Sequence, residues 1–169
     1  MAPAAKTCGD CMMCCKLPSI EEPLHKPENK WCVNAAPGSG CKIYETRPQL
    51  CRDFDCDWLL QPGLGEEWKP SRARFLTYDT SDGRAHILVD PATPHAWKAP
   101  AFYSVIKQVA ARRLELEGRI TTVRVGQRFI VILPDRDEEL RLPPNMPFRL
   151  ITKREGSRTQ YEIVVGDDR

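Results

Sequence analysis

Eight cysteines, all lying between Cys8 and Cys56, constrain this 169-residue chain more than any other feature. They stand in the order C-x2-C-x2-C-C (Cys8, Cys11, Cys14, Cys15), then Cys32, Cys41, Cys51 and Cys56. Thiols this concentrated need a chemical reason, and disulfides, metal ligation and redox chemistry are the three to weigh. Disulfides need an oxidising compartment. The stretch from Met1 to Cys8 has no charged segment followed by an apolar one, so it does not read as a secretory signal, and a cytoplasmic location is expected. Cys14 and Cys15 also suit a disulfide framework poorly, because side chains of neighbouring residues diverge.

Metal ligation fits the pattern better. Soft thiolate donors select zinc, Cu(I) or iron–sulfur clusters. A C-x2-C loop sets two thiolates on one tetrahedral ion, half of a closed site. If residues 8–15 are helical, Cys8, Cys11, Cys14 and Cys15 fall on one arc at ~100° per residue, with Met12 and Met13 pointing elsewhere. If they form a loop, Cys14 and Cys15 diverge and one serves a second ion or bridges two. Either way four thiolates stand close together, which is electrostatically unfavourable without a cation. Free cysteine is often a small core residue, but that reading does not account for this density.

The later cysteines are spaced differently. Cys32 follows Trp31; Cys41 follows Gly38, Ser39 and Gly40, a flexible approach; Cys51 and Cys56 flank Arg52 to Asp55. None of these is a second C-x2-C knuckle, so the chain is not a zinc ribbon with two matching knuckles. Eight thiolates suffice for two tetrahedral zinc sites, or for one cubane cluster with four thiols left for another metal.

The string Cys8-Gly9-Asp10-Cys11-Met12-Met13-Cys14-Cys15, then Cys32, then Cys41, Ile43, Tyr44, Glu45, Arg47, Pro48, Cys51, Arg52, Phe54 and Cys56, resembles the CxxCxxCC family. Bacterial YkgJ-type proteins belong to that family, which is described as zinc- or iron-chelating. The likeness covers residues 8–60. A looser one extends to Val89-Asp90-Pro91 and Ala96-Trp97. The resemblance implies a metal-chelating role for the eight cysteines. Flagellin lysine methylation enzymes carry a related signature, which implies an iron–sulfur enzyme or redox protein as the alternative.

The rest of the chain sets the frame. Its 25 basic and 23 acidic residues leave a net charge of +2, which argues against strong phosphate binding by nucleic-acid contacts. Arg112, Arg113, Arg119, Arg124 and Arg128 read as an ordinary mixed surface. No run reaches the ~18 apolar residues of a membrane span. Residues 1–7 read as a mobile lead. Residues 16–31, with Pro18, Pro23 and Pro27, read as an irregular excursion. A loop of that length inside a compact domain needs something to pin it, and a metal held at both ends would do so. A helix is expected from Thr46, its cap, through Pro48 to about Leu60, with Leu50, Phe54 and Trp58 on one face. Arg47 and Arg52 are candidates to offset thiolate charge. Gln61 to Gly65 then ends the helix and opens a linker.

The second half has no cysteine and reads as an α+β module. Strands are expected over Arg74–Asp79 and Ala85–Val89 around Asp82-Gly83, and over Ile120–Val125 and Phe129–Leu133 around Gly126-Gln127. Glu139–Leu142, Phe148–Thr152 and Tyr161–Val165 read as further short strands. A helix is expected over Phe102–Glu117, stopped by Gly118, with Val105, Val109, Ala110, Leu114 and Leu116 on its buried side. His25, His86 and His95 have no evident nucleophile partner, and no P-loop or dinucleotide-binding glycine pattern is present. The expected organisation is therefore a cysteine-rich metal-chelating module over 1–70, irregular with short helices. An α+β module over 71–169 follows, mostly antiparallel with one main helix. Zinc is the expected metal, with iron or an iron–sulfur cluster as the alternative; catalysis is left open. A metal-stabilised platform for a protein partner is the third reading.

Overall fold

The computed structural model describes residues 6–141, 146–156 and 158–166. The first five residues of the expected lead, and Leu142 at the end of one expected strand, lie outside them. From Cys8 to Leu60 regular structure is sparse. It comprises a 3-10 turn at Met13–Cys15, strands β1 (Ala35–Ala36) and β2 (Gly40–Cys41), and a 3-10 turn at Tyr44–Thr46. Helices α1 (Gln49–Asp53) and α2 (Asp57–Leu60) follow. A further 3-10 turn at Glu66–Trp68 and helix α3 (Pro70–Ala73) lead into the sheet.

The helix expected from Thr46 to Leu60 is thus two short helices. Thr46 ends a 3-10 turn and makes no capping bond at α1, whose N-cap is Pro48. Between the helices Phe54 (φ −86°, ψ 112°) and Cys56 (φ −82°, ψ 158°) are extended. Aspartates at 53, 55 and 57 lower helix propensity here, and tertiary packing decides the rest. Phe54 turns onto Tyr78, ring centroids 5.4 Å apart. Trp58 is buried while Leu50 is 53% exposed, so these residues do not share one buried face.

The second half forms as its patterning suggests. Strands β3 (Phe75–Asp79), β4 (Ala85–Val89), β5 (Thr121–Val125), β6 (Arg128–Ile132) and β7 (Asp137–Leu140) make one five-stranded sheet in that order. All pairs are antiparallel except β4–β5, which is joined through helix α4 (Pro100–Glu117) as a parallel pair requires. The β3–β4 turn carries Gly83 at φ +81°. Gly118, left-handed at φ 67°, closes α4 by donating to the Leu114 carbonyl. A separate ribbon, β8 (Phe148–Glu155) with β9 (Arg158–Val165), follows. This is α+β: an irregular cysteine-rich segment with short helices, then a mostly antiparallel sheet with one main helix.

Period-two alternation gives the sheet two buried faces. Phe75, Ile87, Val89, Val123, Val125, Ile130 and Ile132 face α4 and pack with Trp97, Ile106 and Ala110. Leu76 and Leu88 point the other way and pack with Met13 and Leu17 of the cysteine-rich segment. Val131 and Leu133 pack with Phe148 of the ribbon. On α4 the expected buried side is shifted. Val105, Val109 and Leu116 are 39%, 45% and 71% exposed, whereas Ile106 is buried and Phe102 and Tyr103 pack on the core. The stripe through residues 103, 106, 110 and 114 keeps helical spacing, and Tyr103 with the neighbouring Phe102 fills the space that the valines do not. The boundary expected near residue 70 falls at the start of α3, and the chain packs across it through Met13, Leu17, Leu76 and Leu88.

Candidate metal centre

The first four cysteines lie on successive tight turns. Cys11 N–H donates to the Cys8 carbonyl at 2.8 Å and Cys15 N–H to the Met12 carbonyl at 2.9 Å. Only Met13–Cys15 is helical, of 3-10 type, so the segment is closer to the looped than to the α-helical alternative. Met12 and Met13 do point away from solvent, at 4% and 3% exposure, and Met13 anchors the turn on the sheet. Cys32 is brought to this turn by its N–H, which donates to the Cys15 carbonyl at 2.9 Å. Cys41 ends β2, whose approach needs Gly38 and Gly40 at φ +83° and +101°, a region that costs most residues strain. Cys51 lies in α1 and Cys56 immediately before α2.

All eight are unpaired thiols. Every cysteine except Cys56 lines one cavity of about 260 Å³. Cys56 lines a narrower one of about 20 Å³ together with Cys8, Cys11 and Cys14. The wider cavity is walled by apolar side chains, among them Ile20, Leu24, Ile43, Leu50 and Phe54. Among the described residues, no three histidine, cysteine, aspartate or glutamate side chains are already gathered closely enough to hold an ion. The thiols surround a space rather than a point.

Their protonation reflects crowding in an apolar setting. Burial pushes the Cys8 thiol up, and Cys56 and Cys11 add to it. Burial likewise raises Cys51, with Cys15, Cys32 and Cys41 contributing, and raises Cys56. Cys14 and Cys15 act as a pair. Cys14 holds its proton strongly because it donates to Cys15, and burial reinforces this. Accepting that bond brings Cys15 down to about 7. The set is soft, mutually repelling when ionised and largely sheltered from water. That donor chemistry fits a thiophilic cation, whose charge would replace the protons.

Lys69 acts on Cys11, and two further cations face the thiols. The Arg47 guanidinium, stacked 4.1 Å from the Tyr44 ring centre, favours the thiolates of Cys8, Cys15 and Cys51. Arg52, paired with it in the sequence reading, instead donates to the Arg47 carbonyl at 2.8 Å. The second cation is Lys26, unforeseen from sequence. It is only 4% exposed and donates to the carbonyls of Lys16 (2.9 Å), Pro27 (3.0 Å) and Pro18. Burial lowers its pKa, while Cys32 and Cys15 oppose the shift. Lys26 ties the proline-rich excursion together from within, the task a metal was expected to do. The outward clue was a long loop with no regular partners for its carbonyls, but nothing in the sequence singled out this lysine.

None of the histidines lines either cavity. His25 is exposed, 3.8 Å from Glu22. His86 Nδ1 lies 2.8 Å from the Thr122 hydroxyl, and His95 is exposed at the start of the turn that buries Trp97. No helix among the described residues is long and apolar enough to cross a membrane. No family model, no curated protein and no solved structure matches the chain.

Proposed function

We propose that this protein chelates metal through Cys8, Cys11, Cys14, Cys15, Cys32, Cys41, Cys51 and Cys56, with zinc as the preferred ion. The observation that carries the reading is the convergence of all eight free thiols, from five separate stretches of chain, on two adjoining cavities. Burial without an ion keeps most of the thiols protonated, because thiolates here would repel one another; a divalent cation lets them ionise and turns that repulsion into ligation. The resemblance to the CxxCxxCC family points the same way. Bound zinc would supply charge and tetrahedral cross-linking, and Arg47 and Lys26 would offset the excess negative charge of the thiolate set. One feature favours the iron–sulfur alternative: a cavity of about 260 Å³ is larger than one ion with its four sulfurs requires. Anaerobic purification with elemental and sulfide analysis tests both. About two zinc ions per chain supports the proposal, since closed sites use four ligands each. About four irons with acid-labile sulfide and visible absorption supports the alternative. Neither metal in natively purified protein refutes chelation.

A further inference from the structure

We infer that the eight thiols divide into two unequal sites: a confined one made by Cys8, Cys11, Cys14 and Cys56 and backed by the α2–sheet packing, and a more accessible one made by Cys15, Cys32, Cys41 and Cys51 whose ion exchanges with small soft ligands from solution. The inference rests on the chelation reading and extends it from a ligand set to two roles.

The division follows from which sulfurs share which cavity. Only Cys8, Cys11, Cys14 and Cys56 border the narrow cavity, about 20 Å³, and its other walls include Trp58, Pro70 and Leu76. Trp58 and Leu76 are 4% and 1% exposed, so the packing between α2 and the sheet closes the Cys56 side of this quartet, while Cys8, Cys11 and Cys14 also border the wide cavity. Cys56 faces only this side. Cys15, Cys32, Cys41 and Cys51 border only the wide cavity. Backbone bonds support the same grouping: Cys11 is tied to Cys8, and Cys32 to Cys15. The seam between the groups is the Cys14–Cys15 pair, whose thiols are hydrogen-bonded to each other: Cys14 borders both cavities and Cys15 only the wide one.

The two quartets differ in what surrounds them. The narrow cavity, about 20 Å³, would leave no room beyond an ion drawn in by its four sulfurs, the closed arrangement of structural sites. The wide one is about 260 Å³ and its rim carries Tyr44 and Leu50, which are 49% and 53% exposed. A ligand with an apolar body and a soft donor, such as a small thiol or a heteroaromatic chelator, has an apolar path to the second ion. Lys26 faces Cys32 and Cys15, and Arg47 faces Cys15 and Cys51. Both also act on the other quartet, Arg47 on Cys8 and Lys26 on Cys14, but Arg47 lines the wide cavity itself, where its charge makes a further anionic ligand tolerable. Exchange needs no redox step: the chelator takes the ion, and the freed thiolates take up protons.

The test uses the full chain loaded with zinc and challenged with a chromophoric pyridylazo chelator. Release is expected in two phases of one ion each. The slow phase should lag about tenfold or more, the factor produced by about 1.4 kcal/mol of extra opening free energy. Cys41→Ser or Cys51→Ser should remove the fast ion and leave the slow one; Cys56→Ser should remove the slow ion. The wild-type kinetics stand without any variant, should Cys56→Ser fail to fold. A single phase releasing both ions, or loss of the same ion from Cys51→Ser and Cys56→Ser, overturns the inference while leaving chelation intact. Protein that holds no zinc fails the chelation reading itself.

Discussion

Asp90 joins the cysteine-rich segment to the sheet and supplies the sharpest stability prediction. Its side chain is 1% exposed, just after β4, and takes the Lys16 ammonium at 2.8 Å and the Arg74 guanidinium. Lys16 follows Cys15 directly, so the bond fixes the turn of paired cysteines on the sheet. Asp90 Oδ1 also accepts the Ala92 N–H at 3.1 Å. Removing one partner of a fully buried pair costs ~3–5 kcal/mol. Here Lys16 and Arg74 are 16% and 41% exposed, so water recovers part of the loss. Asn at 90 keeps the acceptor for Ala92. Asp90→Asn is therefore expected to cost about 2–3 kcal/mol at neutral pH, below the buried-pair range because the cations stay hydrated. Burial alone would raise the carboxyl pKa, but Lys16, the Ala92 amide and Arg74 outweigh it, and the value ends below normal. The sign follows. A depressed folded pKa gives stability that is complete above the unfolded value of about 3.9 and lost as pH falls through the folded value. The gap between wild type and Asp90→Asn should be constant near neutrality and close only below about pH 4. Urea unfolding of the metal-loaded protein, followed by the fluorescence of buried Trp97, measures it. A gap under about 0.5 kcal/mol at pH 7, or one that widens on acidification, refutes the reasoning.

Two further outcomes are expected. Cys14→Ser and Cys15→Ser should each lower metal content more than Cys56→Ser, because the adjacent pair lies where two ligand sets meet; equal loss in all three counts against a shared seam. Chelator treatment should abolish hydrogen-exchange protection over residues 8–60 and leave it in β4, β5, β6 and α4, since structural zinc contributes ~10–16 kcal/mol of apparent binding free energy. Protection falling across both halves together would show one cooperative unit.

The sheet and α4 were legible because local rules and tertiary structure agree there. Asp82-Gly83 and Gly126-Gln127 place both hairpins, Gly118 ends the helix, and alternation in β3 to β6 supplies two faces. The cysteine-rich segment was legible as chemistry and not as conformation. Spacing identified the donors, but the broken helix at Phe54 depends on Tyr78, which is distant in sequence. The Lys26 anchor was hidden for the same reason. Its partners are carbonyls, which every residue possesses, so no residue type announces them. Arg47 and Arg52 looked equivalent by charge, and only backbone direction separates the one that faces sulfur from the one that faces a carbonyl.

The packing also bears on why ligation and fold belong together in this chain. Apolar side chains buried from residues 8–60 are few: Met12, Met13, Leu17 and Trp58, beside Cys32 and Cys56. Fully burying such side chains yields ~1.5–3 kcal/mol each, while ordering each residue costs ~1–2 kcal/mol in backbone entropy alone. Docking through Leu17 onto Leu76 and Leu88, and through Lys16 onto Asp90, places the segment but leaves its outer loops with little apolar anchoring. Those loops carry Cys32 and Cys41, far along the chain both from Leu17 and from Phe54, which packs on Tyr78 of β3 just beyond Cys51. Cross-linking by a bound cation acts where packing is weakest, so the ligands that close the wide cavity are also the ones whose loss should loosen it most.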